Sequence, residues 1–132
     1  MRMQVQIMVN LPIQDNEVPD LREAVGWGRR DKDYPALFER CNFWAGARDE
    51  TGKLIAFGYV CGMGLEHGYV EDIIVHPSKQ KQGIGVKLVK ALIEEAKSFG
   101  LGILTVSFDE HNANFYKTTG FTVSSGGVLY LD

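Results

Sequence analysis

One unit in this chain leaves its backbone few choices. Residues 68–75 read as a strand closed by Pro77, residues 83–99 carry helical periodicity, and between them lies Gln80-Lys81-Gln82-Gly83-Ile84-Gly85. A strand that passes through a glycine-containing loop into a helix presents unpaired backbone N–H groups at the helix start. The aligned peptide dipoles add roughly half a positive charge there. Gly83 and Gly85 have no Cβ, so an anion can come close to the backbone. The unit predicts a ligand that carries a diphosphate. A P-loop is excluded, because no Gly-x4-Gly-Lys-Ser/Thr run occurs. A dinucleotide fingerprint needs a third glycine where Leu88 stands, and the chain is too short to repeat the βαβ unit comfortably.

The elements around this unit follow from periodicity. Residues 4–11 alternate apolar and polar side chains (Val5, Ile7, Val9, Leu11) and predict a strand. Asp15 and Asn16 are suited to cap a helix that runs to Gly26, with Val18, Leu21, Arg22 and Val25 near helical spacing. A second helix is expected over residues 33–40, with Tyr34, Leu37 and Phe38 on one side. Residues 43–48 and 53–61 read as a hairpin turned by Asp49-Glu50-Thr51-Gly52, and Gly62-Met63-Gly64 breaks its second strand. In residues 83–99 Ile84, Leu88, Leu92 and Ala96 recur every four positions beside Val89 and Ile93, an amphipathic helix ended by Gly100. Residues 103–108 predict a strand, 112–118 a short helix, and 122–131 a final hairpin turned at Gly126-Gly127. The order β-α-α-β-β-β-α-β-α-β-β is an α/β layering of mostly antiparallel strands.

Length and charge narrow the function. The 132 residues suffice for one domain, taken as 1–132, and not for two. A net charge of −3 argues against nucleic acid as a partner. No apolar run approaches a membrane span and no signal-peptide segment is evident, so a cytoplasmic chain without a membrane partner is expected. Cys41 and Cys61 lack Cys-x-x-Cys spacing, and His67, His76 and His111 lack ligand spacing, so no metal is predicted.

The pattern Gln-x-x-Gly-x-Gly after a strand ending Val75-His76-Pro77 resembles the acetyl-CoA loop of the GNAT superfamily of N-acetyltransferases. Asn114-Phe115-Tyr116-Lys117-Thr118-Thr119-Gly120-Phe121 resembles that family's late helix and turn, and the two segments are separated as usual for the family. The resemblance spans residues 68–121. Within it, residues 68–75 and 109–121 look like the glucosamine-6-phosphate N-acetyltransferase branch. Leu21-Arg22-x-x-Val25-Gly26-Trp27 looks more like small plastid and arylalkylamine-type members. The implied fold is the acyl-CoA N-acyltransferase fold, a mixed, mostly antiparallel central sheet with helices on both faces.

Acetyl transfer to an amine requires a held acetyl-CoA, a neutral acceptor, a polarised thioester carbonyl and a proton or charge partner for the leaving thiolate. The resemblance implies that the N–H groups of Lys81, Gln82, Gly83, Ile84, Gly85 and Val86 take the pyrophosphate, with Gln80 heading the pattern. It puts the backbone of Ile73, Ile74 and Val75 on the pantetheine amides, and an N–H near Ile73 on the carbonyl. In the family a bulge opens this strand from the next. Tyr116 occupies the family's proton-donor position, the alternative being a core aromatic. Glu71 and Asp72 are adjacent, so in a regular strand they point to opposite faces and only one lines the acceptor slot. Glu71 is read as the direct or water-mediated base and Asp72 as support, the alternative being two solvated strand-end charges. Asn112 either contacts the cofactor side, as the resemblance implies, or caps the helix. Ser107 stands where the amino-sugar branch carries an aspartate. Arg29, Arg30 and Lys32 either bind an anionic acceptor or form a solvated face, and Trp27 and Tyr34 either wall the acceptor pocket or fill the core. No serine or cysteine nucleophile elbow occurs, so direct transfer is expected. The expected activity is transfer from acetyl-CoA, as co-substrate and without metal, to a small-molecule primary amine. An acyl-CoA-binding sensor without turnover and a peptide or protein N-acetyltransferase stand beside it. The resemblance also implies a homodimer paired through sheet edges.

Overall fold

The computed structural model of the chain describes residues 4–131. Its strands are β1 (Met8–Val9), β2 (Phe43–Arg48), β3 (Leu54–Cys61), β4 (His67–Val75) and β5 (Ile103–Val106), and its helices are α1 (Glu17–Ala24), α2 (Ala36–Arg40), α3 (Ile84–Phe99) and α4 (Ala113–Thr118). The strands form one sheet in the order β1-β2-β3-β4-β5. Every neighbouring pair is antiparallel except β4 and β5, which run parallel as the α3 crossover between them requires.

Each face of the sheet is closed by its own apolar layer. On one face the four-residue stripe of α3, Ile84, Leu88, Leu92 and Ala96, packs on Phe43, Ala45, Val60 and Val70. On the other, Val18 and Leu21 of α1 join Tyr34, Leu54, Phe57 and Ile74. Leu88, Leu92, Phe57 and Val18 are fully buried, and each such side chain contributes about 1.5–3 kcal/mol through burial alone. Arg48 donates to both carboxylate oxygens of Glu17 and ties the start of α1 to β2.

Several expected elements are shorter, each for a local reason. The first strand keeps only Met8–Val9: Asn10 turns away at φ 55°, and β2 shifts register at Ala47/Arg48, beside the place where residues 4–7 would extend the ladder. Val5 and Ile7 still pack against the α3-side core. Helix α1 stops at Ala24, because Gly26 takes φ 85° and Trp27 N–H returns to the Arg22 carbonyl at 2.9 Å. This left-handed glycine cap fixes where Trp27 sits. The helix expected from residue 33 begins at Ala36, since Tyr34 precedes Pro35 and is held extended.

The final hairpin is not formed. Residues 122–131 contain no strand, and Val128, Leu129, Tyr130 and Leu131 are exposed. Neither Gly126 nor Gly127 adopts the positive φ that a tight hairpin turn demands. An isolated pair of strands with no face to bury is marginal in water. Among the described residues, no helix is long and apolar enough to cross a membrane.

Candidate functional site

The site begins with an irregularity in β4. Tyr59 pairs with Glu71 but Phe57 pairs with Ile74, so Asp72 and Ile73 together face Gly58. This is a β-bulge, and Asp72 adopts φ 52° within it, a conformation aspartate tolerates better than most residues. Gly58 makes room for it: a Cβ there would lie 2.5 Å from Ile73 Cδ1 and 3.3 Å from Leu92 Cδ1. The bulge flips the alternation, which corrects the expectation that Glu71 and Asp72 point to opposite faces. Both line one chamber, while Ile73 turns to the α3 layer and Ile74 to the α1 layer. The parallel ladder between β4 and β5 ends at Val70↔Val106, so the predicted strand over 103–108 is cut short and the two strands part.

Two chambers occupy the wedge between them. The first, of about 580 Å³, runs from Ile73 and Val75 to the loop and the first turn of α3. Lys81 and Gly83 both take left-handed backbone angles, φ 64° and 81°, and turn the chain into the helix. The first helical bond is Lys87 N–H to the Gly83 carbonyl at 3.2 Å, which leaves the amides of Ile84, Gly85 and Val86 without helical partners. Lys79 and Lys81 add cationic side chains. A Cβ on Gly85 would stand 3.1 Å from the Phe115 ring, so this glycine lets α4 close over the helix start.

Not every loop residue turns its side chain to this chamber. Gln80 Nε2 donates to the Val75 carbonyl at 3.0 Å and ties the loop to the end of β4. The side chains of Ile74 and Ile84 are buried in the two cores, and Gln82 lies outside the lining.

The second chamber, of about 300 Å³, is lined by Trp27, Glu71, Asp72, Ser107, Phe108 and Asp109 among others. It shares Ile73, Asn112 and Tyr116 with the first, so the two meet at those three residues. Tyr116 is buried, stacked on Phe108 with ring centroids 4.8 Å apart and edge-on to Phe115 and Phe121. Burial and the Glu71 charge push its phenol up to about 12. The Glu71 carboxyl is raised by desolvation and then by Asp72. Asp72 is raised by burial, against which Arg22 holds it down. Asn112 stands at the N-cap of α4 and makes no side-chain cap bond.

Arg22 is the residue that sequence reasoning left without a role. Its Nη1 donates to Asp72 Oδ2 at 2.6 Å, its Nε donates to the Gly28 carbonyl at 2.6 Å, and its guanidinium lies 5.4 Å from the Trp27 ring centroid. One side chain thus fixes the bulge, the loop after α1 and the Trp27 ring. The available signal was an arginine at an inward helical position beside Leu21. Trp27 lines the chamber with 41% of its surface exposed, whereas Tyr34 is buried in the core and is not a wall. Arg29 pairs with Asp20, Glu23 and Asp31, and Arg30 with Asp33, in exposed ion pairs of the kind a solvated face carries.

The acetyltransferase (GNAT) family model matches residues 10–121, and the chain belongs to this family. It is 27% identical, over 94% of its length and 70% of the relative's, to an uncharacterized N-acetyltransferase (ycf52) of Gracilaria tenuistipitata var. liui. It is 23% identical, over 90% of its length and 69% of the relative's, to the L-amino acid N-acyltransferase MnaT of Escherichia coli K12. The fold is that of the glucosamine-6-phosphate N-acetyltransferase of Arabidopsis thaliana, with a TM-score of 0.80 and 23% identity over 98% of this chain and all of that one (100%).

Proposed function

We propose that the protein moves the acetyl group of acetyl-CoA directly to a primary amine of a small molecule. The observation that carries this reading is the meeting of two chambers of opposite character at Ile73, Asn112 and Tyr116. One offers open amides and two lysines, which fits a diphosphate; the other offers carboxylates, which fits an amine.

Acetyl-CoA supplies the acetyl group and a thiolate leaving group. The amides of residues 81–86, with Lys79 and Lys81, would hold its pyrophosphate, and the free edge of β4 at Ile73, Ile74 and Val75 would pair with its amide arm. Glu71 takes the proton of the incoming ammonium, directly or through water. Its raised affinity for a proton brings it nearer to the amine in strength, which favours that transfer. The Ile73 N–H faces the oxygen on which charge develops. Tyr116 stays protonated at neutral pH, since its phenol is pushed to about 12, and gives its proton to the departing sulfur. Asp72, neutralised by Arg22, shapes the wall and takes no proton. Asn112 orients groups where the chambers join.

A sensor that only binds acyl-CoA would need neither Tyr116 at the junction nor an acidic second chamber, so turnover is the favoured reading. A cytoplasmic location and pairing of two copies belong to the same proposal; β5 ends the sheet with a free edge, and the exposed Val128, Leu129 and Leu131 give the pairing its physical motive. The test is acetyl-CoA-dependent thiol release over a panel of amines, with Tyr116→Phe alongside. The expected result is turnover of one amine class and a kcat lower by about 100-fold in the variant, the usual size for loss of a positioned acid. Equal kcat in the two proteins would remove Tyr116 from the chemistry. Intact acetyl-CoA binding without turnover of any amine would favour the sensor.

A further inference from the structure

We propose that the acceptor is an amine that carries no anionic group and has an apolar or aromatic body. The inference rests on the reading of the second chamber as the acceptor site. Its lining holds three carboxylates, Glu71, Asp72 and Asp109, and no lysine, arginine or histidine. It also holds the rings of Trp27, Phe108, Tyr116 and Tyr130.

The arginines of α1 and the segment after it are already engaged. Arg22 is bound to Asp72 and to the Gly28 carbonyl, Arg29 to Asp20, Glu23 and Asp31, and Arg30 to Asp33. Lys79 and Lys81 line the other chamber. Charge is therefore segregated along the wedge: cations and open amides on the diphosphate side, carboxylates on the amine side.

An ammonium gains from this arrangement. A carboxylate or phosphate on the same molecule would be brought beside Glu71 and Asp109 with no cationic partner, and like charges repel. The rings supply flat apolar surface, and Phe108 stacked on Tyr116 extends it to the junction. Trp27, locked under the Arg22 guanidinium, forms the outer wall. Arg22 also sets the specificity: by neutralising Asp72 it leaves Glu71 as the inner carboxylate that meets a single ammonium.

Matched acceptor pairs that differ only by an anion test this directly: phenethylamine against phenylalanine, tryptamine against tryptophan, glucosamine against glucosamine 6-phosphate. Thiol release by the full chain gives kcat/KM for each. The expected result is a loss of about 100-fold or more on adding the anion, roughly two factors of ten in discrimination. The aromatic pairs should also exceed the sugars. Asp109→Lys, which places a cation in the lining, should shrink that ratio by about tenfold. Equal or better use of the anionic member of each pair overturns the inference while leaving the acetyltransferase reading intact.

If acetyl-CoA binds and no amine turns over, the acetyltransferase reading falls and the chamber is judged by binding. Tryptophan fluorescence with CoA present, and Trp27→Phe as the control, then compares phenethylamine with phenylalanine. Stronger binding of the plain amine, lost as a signal in the variant, upholds the charge assignment. Equal binding, stronger binding of the amino acid, or no binding of either overturns it.

Discussion

The two chambers are walled by opposite means. The chamber proposed for the diphosphate is built mainly from one stretch, residues 73–86, closed by Asn112, Phe115 and Tyr116, and works through backbone amides, left-handed turns and one close glycine contact. The amine side is assembled from side chains of segments far apart in sequence; Arg22 and Asp72, which organise it, are separated by 50 positions. A wall of backbone tolerates changed side chains but not a changed path. A wall of side chains does the reverse, because each charge depends on its neighbours.

The largest effect should come from disturbing the backbone wall. Gly85→Val adds atoms where a bare Cβ already meets the Phe115 ring, itself part of the chamber lining, at 3.1 Å. Alanine would gain about 1 kcal/mol of helix propensity over glycine. Valine forgoes much of that and adds the branch. We expect acetyl-CoA affinity, measured calorimetrically, to fall by about 100-fold, a value of ~2.7 kcal/mol. Gln82→Ala, outside the lining, should change it less than about twofold, within the ordinary range for surface substitutions. Similar losses in both variants would break the distinction between the two walls.

On the amine side, Glu71→Gln should lower kcat/KM for the amine by about 100-fold while leaving acetyl-CoA affinity within about twofold. A parallel fall in acetyl-CoA binding would show that the chambers are not separable in this way.

Arg22 and Asp72 sharpen the comparison through opposite signs. Asp72 raises the Glu71 carboxyl, and Arg22 is its counter-ion. Asp72→Asn removes a negative neighbour and should move the acidic limb of the kcat/KM profile to lower pH. Arg22→Met leaves Asp72 unscreened and should move that limb to higher pH, with the acceptor KM up by about tenfold as Trp27 loses its clamp. Arg22→Lys should restore the limb in part but not the KM, since an ammonium cannot hold Asp72, the Gly28 carbonyl and the Trp27 face together. Shifts of the same sign in Asp72→Asn and Arg22→Met would dissolve the assignment.

What was legible in the sequence follows the same division. The loop from Gln80 to Gly85 is local chemistry exposed by its glycine spacing, the Tyr116 segment was legible through its resemblance to a family motif, and the α3 stripe identified its own core. The bulge was invisible in β4, because Asp72 reaches φ 52° without a glycine. The one trace lay across the ladder, in Gly58, a glycine inside a buried strand where only a close neighbour explains it. The ion pair of Arg22 with Asp72 is a product of the tertiary fold, and no window of either segment contains it. The hairpin over 122–131 failed for a related reason. Its double glycine suits a turn locally, but neither glycine takes the positive φ of a tight turn and the segment pairs with no strand among the described residues.

The smallest effect tests whether the amine wall is held in tension. Desolvation and Asp72 raise the Glu71 carboxyl above the ordinary glutamate value of 4.5, so the folded chain binds this proton more tightly than the unfolded chain does. Folding stability from this group is therefore highest below 4.5 and declines as pH rises through the folded value. Glutamine cannot ionise and escapes that decline. Glu71→Gln should raise the melting temperature at pH 7.5 by a small margin, and the gain should vanish as the solution is acidified past 4.5, where both forms of the wild-type chain hold the proton. A gain that persists unchanged at pH 4 would mean that packing, not charge, separates the two proteins. The same carboxylate would then have lost its claim to an environment tuned for taking a proton from an amine.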